Sequence, residues 1–223
     1  MSVHRERLAE TIIPGKRLGR HINHDPRSRD YAVQADTSGL VSVRHKRHVG
    51  IYDQGQTSSC TGNAGAGCLS TAPFGHRYHE ATALKLYSAA ETIDGDGPYP
   101  PNDNGSSGLS IAQACKAKGL ISSYLHCFSA DAVFTALQTG PVMLGVSWLT
   151  GFDTPDPDGR MHYTGQSRGG HEIESLELDV ENKRIWIDNS WGASFGVEGR
   201  AWWSWADFAQ VLADNGDCTV LIP

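Results

Sequence analysis

Apolar and polar residues follow two different rhythms along this chain, and the change falls near residue 140. Before it, apolar positions recur at helical spacing. Ala83, Leu84 and Tyr87 share the inner stripe of a helix over 80–90. Ile111, Ala114, Cys115 and Lys118 fall at i, i+3, i+4 and i+7 of another over 110–118, which Gly119 closes. Ser129 caps a short helix over 130–138, ended by Gly140-Pro141. One further helix starts behind Ser58 or Ser59 and carries Cys60 in its first turn. Its run of Gly and Ala up to Cys68 is a poor helix former by itself, so this helix is expected to be buried, with neighbours close against its backbone. After Pro141 the period becomes two. Val142–Trp148 reads as a strand. Ile173, Leu176, Leu178 and Val180 read as a second with an irregularity near Ser175, and Ile185 and Ile187 mark a third. Ser204 and Asp207 resemble a capping box opening a last helix through Ala213. Helices followed by an antiparallel sheet describe an α+β fold with segregated halves.

The first 30 residues are polar and charged, with weak breaks at Pro14-Gly15 and Asp25-Pro26. A strand-like segment, Leu40–Val43, precedes the basic run Arg44–His48, and Asp53-Gln54-Gly55 is a turn signal. The length, 223 residues, suits one domain or one domain with two lobes, and its core needs no disulfides. The net charge of −6 is uneven: residues 1–50 carry +5 and the remainder −11. The basic head lacks interleaved aromatics and reads as a solvated extension lying along the body, and the acidic body argues against a duplex-binding protein as a whole; no nucleic-acid partner is expected. No stretch approaches the roughly 18 apolar residues of a membrane helix, so no membrane partner is expected. Met1–Glu10 is charged rather than apolar, which predicts no secretory signal and a cytoplasmic setting. The five cysteines are odd in number, irregularly spaced and without a C-x-x-C pair, which argues for reduced thiols and against zinc. Asp94-Gly95-Asp96-Gly97 and Asp156-Pro157-Asp158-Gly159 lack the distant Glu of a calcium loop and read as turns. No metal or organic cofactor is implied.

Cys60 at a helix N-terminus sits where partial positive charge favours thiolate, the nucleophilic form. A base is found by register. If Val180 and Lys183 flank the two-residue turn Glu181-Asn182, His171 faces position 192 and Asn189 faces 174, give or take a bulge, so His171 and Asn189 meet at the open end of one hairpin. An Asn carbonyl can hold one imidazole nitrogen and aim the other. His4, His21, His24, His45, His48, His76, His79 and His126 fit a surface role better. Gln54, six residues before Cys60 with Gly55 turning the chain between them, offers a side-chain donor to an oxyanion beside the Cys60 backbone N–H.

Asp53-Gln54-Gly55-Gln56-Thr57-Ser58-Ser59-Cys60, Gly170-His171 and Asn189-Ser190-Trp191-Gly192 together resemble the papain-like cysteine peptidases in residue order and in the Gln-to-Cys spacing. The resemblance runs from about Val41 to Val220. It is nearest to short bacterial and bacteriophage members, through Asp25-Pro26-Arg27-Ser28-Arg29 and Cys60-Thr61-Gly62-Asn63. It implies a two-lobe fold: a basic extension over 1–40, then a peptidase domain over 41–223. The helical lobe spans about 54–138 and the antiparallel β lobe about 139–223, with the active-site groove between them. It implies an endopeptidase with peptide or protein substrates, Cys60 as nucleophile, His171 as general base and acid, Asn189 orienting His171, and Gln54 as oxyanion donor. Trp191 then shields the His–Asn bond, Gly105 and Ser106 in the strip Asn104-Gly105-Ser106 pair with substrate backbone beside Gly170, and Pro141–Gly145 walls the main specificity pocket. Thr61 stands where the family usually has Trp, and Thr57 where it has a disulfide cysteine. Gly145 suggests a roomy pocket. The 59 residues before Cys60 are too few for the family's long inhibitory pro-segment and leave residues 1–40 as a candidate short plug over the cleft. The alternatives are a phage-associated endopeptidase acting on cell-wall peptides or a virion protein, and a catalytically silent peptide-binding or structural module. Oligomeric state is not legible.

Overall fold

The computed structural model describes residues 4–11 and 15–223; Pro14 of the expected break and the start of the charged N-terminus lie outside them. A short hairpin pairs β1 (His4–Arg7) with β2 (His21–His24). β3 (Val43–Arg44) is shorter and later than the expected Leu40–Val43. Then come α1 (Cys60–Leu69), α2 (Glu80–Asp94), α3 (Gly108–Ala117), β4 (Ser123–Cys127) and α4 (Ala130–Leu137). The second half holds β5 (Val142–Leu149), β6 (Ser167–Asp179), β7 (Arg184–Asp188), β8 (Arg200–Ser204), α5 (Trp205–Ala213) and β9 (Asp217–Ile222). The fold is α+β, with α1–α3 packed against one antiparallel sheet of order β4-β9-β5-β6-β7-β8, to which β3 adds on β6.

Local chemistry sets the boundaries. α2 runs four residues past the expected end and stops at Gly95, whose positive φ closes it. α3 begins two residues earlier than expected because Ser107 caps it: its hydroxyl accepts from Ser110 N–H. Ser129 and Ser204 cap α4 and α5 as the spacing predicts. Ser59 occupies the cap position of α1, but its hydroxyl bonds to Thr57 and Asn63 instead of the helix N–H groups.

All ten residues of α1 are buried, which explains its composition. At Gly62 a side chain would overlap the Ala83 carbonyl and Tyr87 of α2, and at Gly67 it would overlap the Glu174 carboxylate of β6. The helix therefore gives up propensity to let α2 and the sheet approach its backbone. One apolar cluster joins α1–α3 through Leu69, Leu86 and Ile111 to Met143 of β5. The other lies on the far side of the sheet, where α4 contributes Val133, Phe134 and Leu137, so α4 packs with the sheet rather than with the first three helices. Among the described residues no helix is long and apolar enough to cross a membrane.

Candidate active site

The hairpin β6–β7 carries the register that the turn predicts. Asp179 pairs with Arg184, Leu178 with Ile185 and Glu177 with Trp186. A bulge between Ser175 and Glu177 then shifts the pairing by one residue, so that Glu174 faces Asp188. Asn189 follows directly, and its Oδ1 lies 2.8 Å from His171 Nε2. His171 Nδ1 is left without a partner among the described residues. Trp191 stacks on the imidazole at 4.9 Å between centroids and 28°, and Trp148 meets it edge-on at 4.9 Å and 87°. The His–Asn pair is thus sealed from water by two indoles.

Cys60 opens α1 from the other side. The backbone N–H groups of Glu172, next in sequence to His171, and of Thr61 point at its sulfur. Both Cys60 and His171 are 0% exposed. Burial pushes the Cys60 thiol up, outweighing those N–H groups. Burial drives His171 down to about 4, against the pull of the Asn189 hydrogen bond. Both groups are therefore neutral near pH 7, and the helix terminus does not by itself yield a thiolate. Gln54 is fixed by Ser190, whose hydroxyl donates to Oε1 at 2.6 Å, and by its own amide donating to the Thr57 carbonyl at 2.8 Å, which leaves one N–H for the groove.

The groove is filled by the chain's own N-terminal segment. Gln54 Nε2 and Trp191 Nε1 both donate to the Arg17 carbonyl, each at 3.2 Å. Gly19 N–H and Arg20 N–H donate to the Gly170 carbonyl at 3.0 and 2.9 Å. Ser106 N–H donates to Gly19 O at 2.9 Å, and His21 N–H donates to Ser106 O at 2.7 Å. Residues 17–21 thus form a strap between two walls, one at Ser106 and the other at Gly170. Gly105 and Gly170 allow this close seat, because a side chain at either would overlap a strap carbonyl. Gly105 N–H itself is taken by the Tyr87 hydroxyl at 2.9 Å rather than by the strap.

Gly145 lies beneath. A methyl group there would stand 2.6 Å from Arg20 Nε, so the roomy pocket holds an arginine. All nine residues expected at the site, Gln54, Cys60, Gly105, Ser106, Gly145, Gly170, His171, Asn189 and Trp191, line this one groove or support its walls. The sequence did not single out Arg17, Gly19 and Arg20 of the strap, or Glu172 and Asp217 beside Gly145; the signals for them were the expected short plug within residues 1–40 and the smallness of Gly145. His126, expected at the surface, is buried against Thr219, and His21 is half-buried on the strap, where its Nε2 lies 2.7 Å from Asn104 O. All five cysteines are unpaired and buried.

No protein-family model and no curated protein matches this sequence. Solved structures do match in shape. Xylellain, a cysteine protease from Xylella fastidiosa, aligns over 95% of this chain and 99% of its own, with a TM-score of 0.73 and 17% identity. Digestive procathepsin L 3 of Tenebrio molitor larval midgut aligns over 86% and 73%, with a TM-score of 0.63 and 13% identity. The proform of the ragweed pollen allergen Amb a 11, a cysteine protease, aligns over 84% and 67%, with a TM-score of 0.56 and 15% identity. Helical half, sheet and groove taken together, the chain has the fold of the papain-like cysteine proteases.

Proposed function

We propose that this protein is a cysteine peptidase whose own N-terminal strap holds it closed. The observation that carries the reading is the state of His171. Its Nε2 is tied to Asn189, its Nδ1 has no partner among the described residues, and the backbone N–H of the next residue, Glu172, points at the Cys60 sulfur. A buried polar atom without a partner is costly unless the site uses it.

When the strap leaves and a peptide takes its place, Nδ1 accepts the Cys60 proton while the sulfur bonds to the substrate carbonyl carbon. Gln54 Nε2 and the Cys60 backbone N–H donate to the oxygen that becomes negative. The C–N bond breaks as His171 returns the proton to the leaving amine, giving a thioester and a free amine. A water then gives its proton to His171 and its oxygen to the carbonyl carbon. The C–S bond breaks, and His171 reprotonates the sulfur as the acid leaves. Asn189 holds the ring through both halves, and Trp191 keeps water from competing for that bond.

The test is an epoxide thiol reagent followed by peptide mapping, beside turnover of a casein-type substrate. Adduct on Cys60 alone, and loss of turnover in Cys60→Ala, are expected. A folded protein with the strap dislodged that carries no Cys60 adduct at neutral pH rules the reading out, and leaves a silent binding module.

A further inference from the structure

Three strands side by side build an acidic notch under the strap. Their register puts Glu172 of β6, Gly145 of β5 and Asp217 of β9 in one row. Directly opposed residues of antiparallel strands project from the same face, so the row presents two carboxyls flanking a position with no side chain. A methyl group on Gly145 would lie 2.8 Å from both Asp217 oxygens. Arg20 fills the gap with its side chain 0% exposed. Its Nη2 pairs with the Asp217 carboxylate and donates to the Asn215 carbonyl at 2.7 Å. Arg20 Nε and Nη1, and both oxygens of Glu172, have no partner among the described residues.

An arginine is among the costliest side chains to enclose, and an enclosed one needs a counter-charge. A strap that only covered the groove would be held more cheaply by an apolar side chain, as Leu18 is by its buried neighbours two residues earlier. The row supplies instead what a guanidinium requires: a carboxylate at one edge, a carbonyl beside it, and spare acceptors on Glu172 for a side chain free to seat itself without the strap's constraints.

We infer that the notch formed by Glu172, Gly145 and Asp217 selects substrates carrying an arginine side chain, with Asp217 as the specificity-determining residue and Arg20 as a resident mimic. This rests on the peptidase reading and adds the substrate class. Lysine is the weaker ligand, since its ammonium lacks the planar fork that reaches carboxylate and carbonyl together.

The test uses the full chain carrying Gly19→Ala to loosen the strap, with fluorogenic peptides in which arginine or leucine is walked through the four positions before the scissile bond. At one position arginine should exceed leucine in kcat/KM by about 10- to 100-fold, the usual worth of a hydrogen bond to a charged group. Asp217→Asn should collapse that ratio, and Gly145→Ala, which closes the gap and leaves the charges alone, should do the same if Asp217→Asn fails to fold. In parallel, propylguanidinium should raise the melting temperature of Arg20→Ala and not of Arg20→Ala/Asp217→Asn. Turnover with no arginine preference at any position overturns the inference and leaves the peptidase standing. Absence of guanidinium binding to folded Arg20→Ala also overturns it. Guanidinium binding without turnover of any peptide strikes the peptidase reading, and with it the notch's role in choosing substrates.

Discussion

Gly19 is the point at which the strap is most easily dislodged without touching the residues beneath it. Its φ of +138° lies where only glycine rests comfortably, and a side chain there would overlap the Ser58 carbonyl just ahead of Cys60. Gly19→Ala therefore adds two costs to the closed state. Forcing a non-glycine residue into such a conformation costs about 1–3 kcal/mol, and overpacking against fixed backbone costs about 1–3 kcal/mol more. Neither cost is felt once the strap is out. The smallest sum, about 2 kcal/mol, raises the open fraction about thirtyfold. Alkylation by iodoacetamide at neutral pH, read by mass spectrometry, reports this at Cys60. The other four cysteines are equally buried: Cys68, Cys115 and Cys127 lie away from the strap contacts, and Cys218, although next in sequence to the Arg20 partner Asp217, packs its side chain into the apolar cluster on the far side of the sheet. Strap release speeds labelling of Cys60 alone, whereas global unfolding speeds all five, so the protein carries its own control. An unchanged Cys60 rate in folded Gly19→Ala, or a rise shared by all five thiols, refutes the view that residues 17–21 act as a separable cover.

Gln54→Ala should move two measurements in opposite directions. It removes a donor to the Arg17 carbonyl, so Cys60 is alkylated faster, and it removes a donor to the oxyanion, so peptide turnover falls by about 10²–10³; turnover that tracks alkylation would contradict the assignment. His171 gives a pH signature. Its folded value of about 4 lies below the ordinary 6.5, so the unfolded chain binds the proton first as pH falls. The stability difference between the unaltered chain and His171→Gln should be constant above pH 6.5 and shrink between 6.5 and about 4, by about 3 kcal/mol at most; denaturant melts across that window check it, and a flat difference counts against a buried neutral ring. Glu172 runs the other way. Burial holds its carboxyl well above the ordinary 4.5, with Asp217 adding and Arg20 opposing, so its contribution is lost as pH rises. Glu172→Gln should raise the melting temperature at pH 7 and lose that advantage below pH 4.5, and an equal effect at both would show that no charge is at stake.

The parts legible in the sequence are those fixed by near neighbours. The turn Glu181-Asn182 set the pairing of β6 with β7, and the bulge fell beside Ser175, where the apolar alternation slips. That local register was enough to bring Asn189 to His171. The Gly/Ala run announced that α1 would be enclosed, because no helix of that composition stands without tertiary support. β9 escaped notice because Asp217–Ile222 is short and finds its partners in β4 and β5, more than 70 residues earlier. The notch escaped for the same reason. Arg20 and Asp217 are separated by 197 residues, and neither carries a local sign that it belongs to the other.

The strap does more than obstruct. A thiolate–imidazolium pair forms by moving a proton from sulfur to ring nitrogen, and the ease of that transfer follows the gap between the two groups' proton affinities. With residues 17–21 in place, burial widens the gap from both ends: the Cys60 thiol is held above its ordinary 9.0, and His171 is pushed from 6.5 to about 4. Water returning with the cleft's opening relieves desolvation, the leading cause of both shifts, and leaves the N–H groups aimed at the sulfur and the Asn189 oxygen on the ring to favour the charged forms, with the Glu172 and Glu10 carboxyls opposing at the sulfur. The same movement that admits a substrate therefore charges the groups that attack it. A dislodged strap accordingly exposes Cys60 already activated, and its alkylation should titrate below the range of an ordinary thiol, whereas a purely steric cover would uncover a thiol reacting with an unperturbed pH profile.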